Sequence, residues 1–428
     1  DAATTNAYND WALLNHKAVI DSIFSVNYMS LRSRGAKLNT TPDNVVYSDA
    51  RLLKFDPGWN QYYPANAYNT AIDYSISDMG AMFVPDNKAL QNYFVGGAGS
   101  YLMDIYGSKP NTVANLPENL DSLQSKQPTV LSSFVNNLMM SSFAASVPSK
   151  FTAINNDASE NMGMNLSYLK KKADGKYDVK VANNGVVYVL KDMIVPDEYQ
   201  AVLAPSSSYP DMSVMNWAVQ NRDRTYGVYD FKFYLLAMSA NYAFFIPDNE
   251  AFDAYYVDPT SLGHITPQVL HFSFDKTQNP NLVCESYNYD VETGEISGTK
   301  SPKSIASVSS QLLDILNYHT VLLKQGEKLG SNHYYKTKHG GEIYVGGGAK
   351  GAVVAGGSQI DNSLAKGTIK EVFAEKNGHA YRISHVIQGA TNSVFRTLNE
   401  GKYDGVAINE QSRFSEFLNL ANALGSDP

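Results

Sequence analysis

Short apolar runs that end at a proline and continue with helical spacing are the main pattern along this chain. In "FFIPDNEAF", residues 244–252, the apolar run fits a buried strand, and Pro247 ends it because proline has no backbone N–H for a neighbouring strand. Asp248 follows at the position of a helix N-cap, where its carboxylate accepts from amides of the first turn. The pattern predicts a strand that turns directly into a helix.

The same corner occurs earlier as "MFVPDNKAL", with Asp86 as the capping residue and an offset of 162 (247 minus 85). A Leu-rich helical segment also recurs, as "LSSFVNNLMM" from residue 131 and "LLDILNYHTV" from residue 312, offset by 181 (312 minus 131). A strand opening with Asn-Gly closes each copy, with Gly185 and Gly378 offset by 193 (378 minus 185). We expect two copies of one domain, the second carrying 31 more residues (193 minus 162) in loops and hairpins.

Each copy is expected to contain a helical opening, a strand, the corner, more helix, the Leu-rich helix, several strands and the Asn-Gly strand. A segment rich in Pro and Ser begins at residue 195 and separates the copies. We therefore assign residues 1–200 to a divergent first domain and residues 201–397 to a second. Residues 398–428 contain "SRFSEFLNLANAL", and we expect a linker and the opening of a third copy there.

The corner, the Leu-rich helix ending in Tyr318 and His319, and the closing strand "NGHAYRI" together resemble the fasciclin-like domain. The first copy departs from this pattern, with Asn137 and Leu138 where the family has Tyr-His. The resemblance implies an α+β fold of tandem domains, each a wedge-shaped β-sandwich flanked by several helices. It also implies an extracellular role in adhesion. Receptor binding has been linked to the Tyr-His region in animal members, but we expect His319 to hold a neighbouring loop by hydrogen bonding.

Charge and cysteine content narrow the class of protein. Acidic and basic residues are spread along the chain, with a formal net charge of -8, which argues against nucleic acid as the main partner. The single cysteine, Cys284, excludes an intramolecular disulfide and a zinc site of several thiolates, and its strand-like surroundings predict an inert buried thiol. The sequence has no apolar run of about 18 residues, so no membrane-spanning helix is predicted.

The composition, with 29 tyrosines and frequent Asn and Ser, resembles that of bacterial fasciclin-like proteins of Gram-negative cell surfaces. These are often lipoproteins encoded beside TonB-dependent transporters. The resemblance implies an exported protein on the outer face of the outer membrane, held there only by a lipid anchor outside the given chain. A protein or polysaccharide ligand is the expected partner. An outer-membrane transporter complex, with this protein as a structural accessory subunit, is the alternative.

The sequence offers no clear catalytic chemistry. The glycine cluster from residue 345 lacks the Lys-Ser/Thr of a phosphate-binding loop and predicts hairpin turns instead. His333 and His339, like His379 and His385, are six residues apart, about 20 Å along a straight strand, which is too far to share a metal. No Gly-x-Ser-x-Gly elbow is present. We expect a non-catalytic protein with no cofactor or metal, and keep a glycan-degrading enzyme as a third hypothesis.

Exposed aromatic residues are the candidates for ligand contact, because aromatic faces stack on sugar rings whereas a large apolar patch would favour permanent docking. The candidates are Trp59, Tyr62 and Tyr63 within the segment "GWNQYYPANAY", and Tyr255 and Tyr256 after the second corner. Packing at a sheet edge explains these aromatics equally well. The sequence therefore assigns no binding site.

Overall fold

A computed structural model divides the chain into two compact units, residues 1–196 (unit 1) and residues 197–428 (unit 2). Each unit combines helices with a mixed sheet, so the protein is of the α+β class. The structure describes residues 80–140, 145–155, 161–182, 185–220, 231–262, 266–278, 281–291, 293–360, 364–391, 394–399 and 408–424.

Unit 1 is built on a four-stranded sheet in the order β2-β1-β4-β3, in which β1 is parallel to β4 and the other pairs are antiparallel. The strands are β1 (Gly80–Pro85), β2 (Met139–Met140), β3 (Val179–Ala182) and β4 (Gly185–Leu190). The α-helices are α1 (Asn87–Phe94), α2 (Ser100–Tyr106), α3 (Leu116–Lys126) and α4 (Pro128–Asn137). Short 3-10 helices span Val113–Asn115, Pro148–Ala153 and Leu166–Tyr168.

The core of unit 1 forms on one face of this sheet. Phe83 of β1 and Tyr188 of β4 stack with ring centroids 5.3 Å apart, and Phe151 contacts both rings edge-on. Because side chains alternate along a strand, residues two positions away on β1 and β4 are buried on the same face. The apolar run before Pro85 thus becomes an inner strand.

The described residues of unit 2 form two sheets. Its strands are β5 (Tyr242–Pro247), β6 (Tyr256–Val257), β7 (Gln268–Phe274), β8 (Leu282–Tyr289), β9 (Ile296–Lys303), β10 (Thr320–Leu322), β11 (His333–Lys336), β12 (Glu342–Val345), β13 (Val353–Ala355), β14 (Gly367–Glu375) and β15 (Gly378–Ile383). Its α-helices are α5 (Ala204–Ser208), α6 (Ser213–Gln220), α7 (Phe231–Leu235), α8 (Ser309–Tyr318), α9 (Gly357–Ile360), α10 (Val394–Leu398) and α11 (Ser415–Ala423). Short 3-10 helices span Asp197–Tyr199, Pro210–Met212, Asn249–Asp253, Pro259–Ser261 and Ile305–Val308.

The larger sheet of unit 2 has seven strands in the order β10-β5-β15-β14-β13-β12-β11 and nearly closes on itself. A bridge joins Val321 of β10 to Thr337, just after β11, and the Lys338 amide donates to the Thr320 carbonyl at 2.8 Å. Apolar side chains fill the interior, among them Phe245, Val321, Ile343, Val345, Val354, Ile369, Tyr381 and Ile383.

Four of these seven strands have the pairing order of the unit 1 sheet, since β10-β5-β15-β14 corresponds to β2-β1-β4-β3. The register is also the same. Pro85 pairs with Leu190 and Pro247 with Ile383, so the offsets of 162 (247 minus 85) and 193 (383 minus 190) are those of the sequence motifs. The repeated motifs therefore occupy equivalent positions in the two sheets.

The units differ between the corner and the Leu-rich helix. In unit 1 this stretch contains α1, α2 and α3, whereas in unit 2 it contains a four-stranded sheet in the order β6-β7-β8-β9. The expectation of more helix after the corner is therefore wrong for unit 2, where the only helical turns described between the corner and α8 are short 3-10 helices. The alternating burial along β8 is the physical reason, because a period of two suits a half-buried sheet.

Candidate functional site

The corner is built in the same way in both units. The Ala89 amide donates to Asp86 Oδ1 at 2.8 Å, and the Ala251 amide donates to Asp248 Oδ1 at 3.1 Å. Both aspartates are N-caps, as predicted. The helix that follows is an α-helix in unit 1 and a single 3-10 turn in unit 2.

Each capping aspartate also binds a lysine that is distant in sequence. Lys170 Nζ lies 2.6 Å from Asp86 Oδ2, and Lys370 Nζ lies 2.9 Å from Asp248 Oδ2. The two lysines occupy equivalent positions. Lys170 follows Leu169, which pairs with Leu190 at the end of β4. Lys370 follows Ile369, which pairs with Ile383 at the end of β15. The sequence motifs contain no signal for this pairing.

Unit 2 extends this ion pair into a charged cluster that lines a cavity of about 260 Å³. Lys370 also contacts Glu250 at 2.9 Å, and Arg382 Nε contacts Asp248 Oδ2 at 3.1 Å. Arg382 further contacts Asp211, and its Nη1 lies 3.5 Å from Glu371 Oε2. The lining residues are Asp211, Asp248, Glu250, Lys370, Glu371 and Arg382.

The charges in this cluster stabilise one another. Burial disfavours the charged form of Lys370, but hydrogen bonds and opposite charges from Glu250 and Asp248 outweigh burial and raise its pKa. The hydrogen bond from Lys370 lowers the pKa of Glu250. A lysine held protonated in this way is a poor general base. The cluster therefore fits a cross-link between the corner and strands β14 and β15 better than acid-base chemistry.

His319 lies at the end of α8 and is fully buried. Its Nδ1 lies 2.6 Å from the Ile315 carbonyl, and its Nε2 accepts a hydrogen bond from the Ile387 amide at 2.9 Å. Because a neutral ring has one donor and one acceptor, these contacts place the proton on Nδ1. Burial lowers the pKa of His319 to about 4. The prediction that this histidine holds a neighbouring loop is confirmed.

Tyr318 lies beside His319 and also has a packing role. Its ring stacks on His339 with centroids 4.3 Å apart, and His339 in turn lies 3.4 Å from an Asp314 oxygen. The ring fits closely against Gly341 and Gly389, and a side chain at either glycine would force the Tyr318 ring to move. Burial raises the pKa of the Tyr318 hydroxyl. Close packing therefore fixes the position of the Tyr318 ring.

A second group of side chains lies on one face of the β6-β9 sheet and is partly exposed. Tyr255, just before β6, is 37% exposed and contacts the rings of Tyr287 and His271, with ring centroids 5.2 Å and 5.7 Å apart. On the same face, Glu285 accepts from Lys300 Nζ at 2.8 Å and from the Tyr287 hydroxyl at 3.5 Å. We call these five residues the aromatic face.

The sequence candidates separate in the structure. Tyr255 belongs to the aromatic face, but Tyr256 points to the other side and is only 6% exposed, so it is unsuited to ligand contact. Trp59, Tyr62 and Tyr63 lie outside the described residues. The alternation along β7 and β8 was the signal that could have placed His271, Glu285 and Tyr287 on one face.

The remaining candidate chemistry is structural. Cys284 is buried in β8, and burial raises the pKa of its thiol to about 12, in agreement with an inert thiol. The glycine cluster forms the turn between β12 and β13, as predicted, although the short helix α9 that follows was not expected. Across the described ranges, no group of three or more His, Cys, Asp or Glu residues is arranged to hold a metal ion.

Neither a family model nor a curated protein matches the chain. None of the helices in the described part of the chain has the length and hydropathy needed to span a membrane.

Proposed function

We propose that this chain is a non-catalytic binding protein of tandem fasciclin-like type, which recognises a protein or polysaccharide at the surface of the cell. The equal strand order, register and corner of the two sheets support the tandem arrangement. The engagement of the charged cluster in ion pairs favours a structural role for its carboxylates.

The observation that carries the binding role is the aromatic face of unit 2. It is partly exposed, it combines rings with an ion pair, and it lies on a sheet that replaces helices α1 to α3 of unit 1. Aromatic residues with one apolar and one polar side are enriched at binding surfaces. The Glu285–Lys300 pair, whose lysine is 64% exposed, adds little to folding, which favours a role in recognition.

The test is to screen the purified full chain against arrays of polysaccharides and of cell-surface and matrix proteins, and to analyse bound glycans for cleavage products. We expect saturable binding to at least one ligand, with no cleavage. Cleavage of a bound glycan would favour the enzyme hypothesis, and no binding to any ligand on either array would contradict the proposal.

A second candidate function, stable docking on an outer-membrane transporter, is favoured by the C-terminal helix. Phe417 and Leu420 on α11 are 59% and 60% exposed and lie one turn apart on the same side, followed one turn later by the exposed Leu424. Exposed apolar stripes of this kind are typical of protein interfaces. Isolation of the protein from outer membranes in mild detergent would reveal a transporter in fixed ratio if docking is permanent.

A further inference from the structure

We propose that the aromatic face is a binding site for a neutral polysaccharide, with one sugar ring stacked against Tyr255 or Tyr287 and its hydroxyls bonded by Glu285 and Lys300. This inference rests on the proposed binding function and adds the site and the chemical class of the ligand. It follows from three properties of the face: its ring geometry, its paired charges and its polar surroundings.

The ring geometry suits a single sugar ring. The Tyr255 and Tyr287 planes are inclined at 77°, so a flat ligand can stack on one ring while the other forms a side wall. Contacts of Tyr255 with both Tyr287 and His271 hold the exposed ring in place before a ligand arrives. Such preorganisation reduces the entropy lost on binding.

The charged groups match the hydroxyls of a neutral sugar. Glu285 and Lys300 are 2.8 Å apart, so the face presents an acceptor and a donor side by side with no net charge. A sugar hydroxyl both donates and accepts, and two neighbouring hydroxyls can therefore engage both groups. An acidic polysaccharide would gain from Lys300 but would be repelled by Glu285, so a neutral ligand is favoured.

The surroundings disfavour a protein partner at this face. Strand β9, at the edge of the sheet, is exposed along most of its length and consists mainly of Ser, Thr, Gly, Lys and Pro. Pro302 and the flanking Lys300 and Lys303 are typical devices against the addition of a further strand. The face also lacks the buried apolar anchor around which stable protein interfaces form.

The experiment measures retardation of the full chain in native gels containing neutral or acidic polysaccharides: β-1,4-glucan, starch, xylan, mannan and polygalacturonate. The variants are Tyr255→Ala and Glu285→Gln. Glu285→Gln keeps the side-chain shape and breaks only the charge pair. Tyr334→Ala is the matched control, since Tyr334 is an exposed tyrosine in a similar ring pair, with Tyr344, at 5.5 Å on β11 and β12.

We expect at least one neutral polysaccharide to retard the wild-type chain, with affinity reduced at least ten-fold by Tyr255→Ala and by Glu285→Gln but unchanged by Tyr334→Ala. Circular dichroism melting of all variants checks that folding is intact. Retardation that neither variant reduces, or retardation by polygalacturonate alone, would overturn this site assignment.

The array screen separates this inference from the proposed function. Binding of a protein ligand, with no retardation by any neutral polysaccharide, would overturn the sugar assignment and leave the binding function standing. The absence of any ligand in both experiments would overturn both. If a protein ligand is lost with Tyr255→Ala, the face is a protein interface and the inference is wrong.

Discussion

The side chain of Asn137 donates a hydrogen bond to the Ile194 carbonyl at 3.4 Å. The helix offset of 181 (319 minus 138) makes Leu138 the counterpart of His319, and the closing-strand offset of 193 (387 minus 194) makes Ile194 the counterpart of Ile387. In each unit, a side chain at the end of the Leu-rich helix therefore bonds the backbone at the same place after the closing strand. Asn137 bonds the Ile194 carbonyl in unit 1, and His319 bonds the Ile387 amide in unit 2. The divergent first copy keeps the connection with a different residue.

Replacing His319 with leucine tests how much this hydrogen bond stabilises unit 2. The His319→Leu variant leaves the buried Ile387 amide without its acceptor, which we expect to cost about 2 kcal/mol of unfolding free energy. The Ile387 amide should also exchange its hydrogen faster, which mass spectrometry of peptides from full-length protein detects. His339→Ala is the control, because that ring is half exposed and should cost less than about 1 kcal/mol. Equal losses in the two variants would contradict the assignment.

The same histidine predicts a dependence of stability on acid. Its pKa falls from 6.5 to about 4 on folding, so the unfolded chain binds the proton more tightly. The free energy of unfolding is therefore highest above pH 6.5 and falls as the pH drops to 4. At about 1.4 kcal/mol per pH unit, the loss is roughly 3 kcal/mol. Urea unfolding between pH 7 and pH 4 measures this loss, and the His319→Leu variant should lack it. An unchanged pH profile in that variant would show that other groups cause the acid sensitivity.

Glu375, near the turn between β14 and β15, should change stability with pH in the opposite direction. Burial raises its pKa from 4.5 to about 7, so the folded state holds the proton more tightly than the unfolded chain. Stability should fall as the pH rises from 4.5 to 7, by roughly 2 kcal/mol after allowance for partial exposure. Glu375→Gln removes this slope, whereas Glu342→Gln, on an exposed site of β12, should keep it. Unfolding curves at several pH values distinguish the two variants.

The two corners predict unequal costs for the same substitution. Asp248→Asn weakens a buried cap and its contacts with both Lys370 and Arg382, and we expect a loss of about 3 kcal/mol. Asp86→Asn affects a cap with one half-buried lysine, and we expect a loss of about 1 kcal/mol. Hydrogen exchange of amides in each corner reports the two losses separately within the same chain. Equal losses would mean that the larger cluster adds no stability.

Helix α11 offers a test of docking that does not depend on the aromatic face. Phe417→Ser with Leu420→Ser should change stability by less than about 0.5 kcal/mol, because both side chains are already exposed. If α11 docks on a partner, the double variant should release the partner protein from detergent-extracted membranes. Leu418→Ser is the contrasting variant, since Leu418 is 5% exposed and its loss should destabilise the helix instead. Retention of a transporter by the double variant would contradict docking through α11.

Local chemistry explains what the sequence predicted well. The strand before Pro247, the cap by Asp248 and the matching corner at Pro85 depend on residues within a few positions of one another. The repeat offsets depend only on the order of such local motifs, and they correspond to the common register of the two sheets. The sequence alone therefore determined the corners, the Leu-rich helices and the Asn-Gly strands, because steric and capping preferences act over one turn or one strand.

Tertiary structure decided the features that join distant segments. Lys370 lies 122 residues from Asp248, and Ile387 lies 68 residues from His319, so no local pattern could pair them. The near closure of the seven-stranded sheet depends on the bridge between Val321 and Thr337, which adjacent-strand periodicity does not specify. Which of two neighbouring tyrosines faces solvent was also undecided in the sequence. The pairing of Tyr256 with the buried Leu270 of β7 settles that choice, because strand pairing joins distant segments and places paired side chains on the same face.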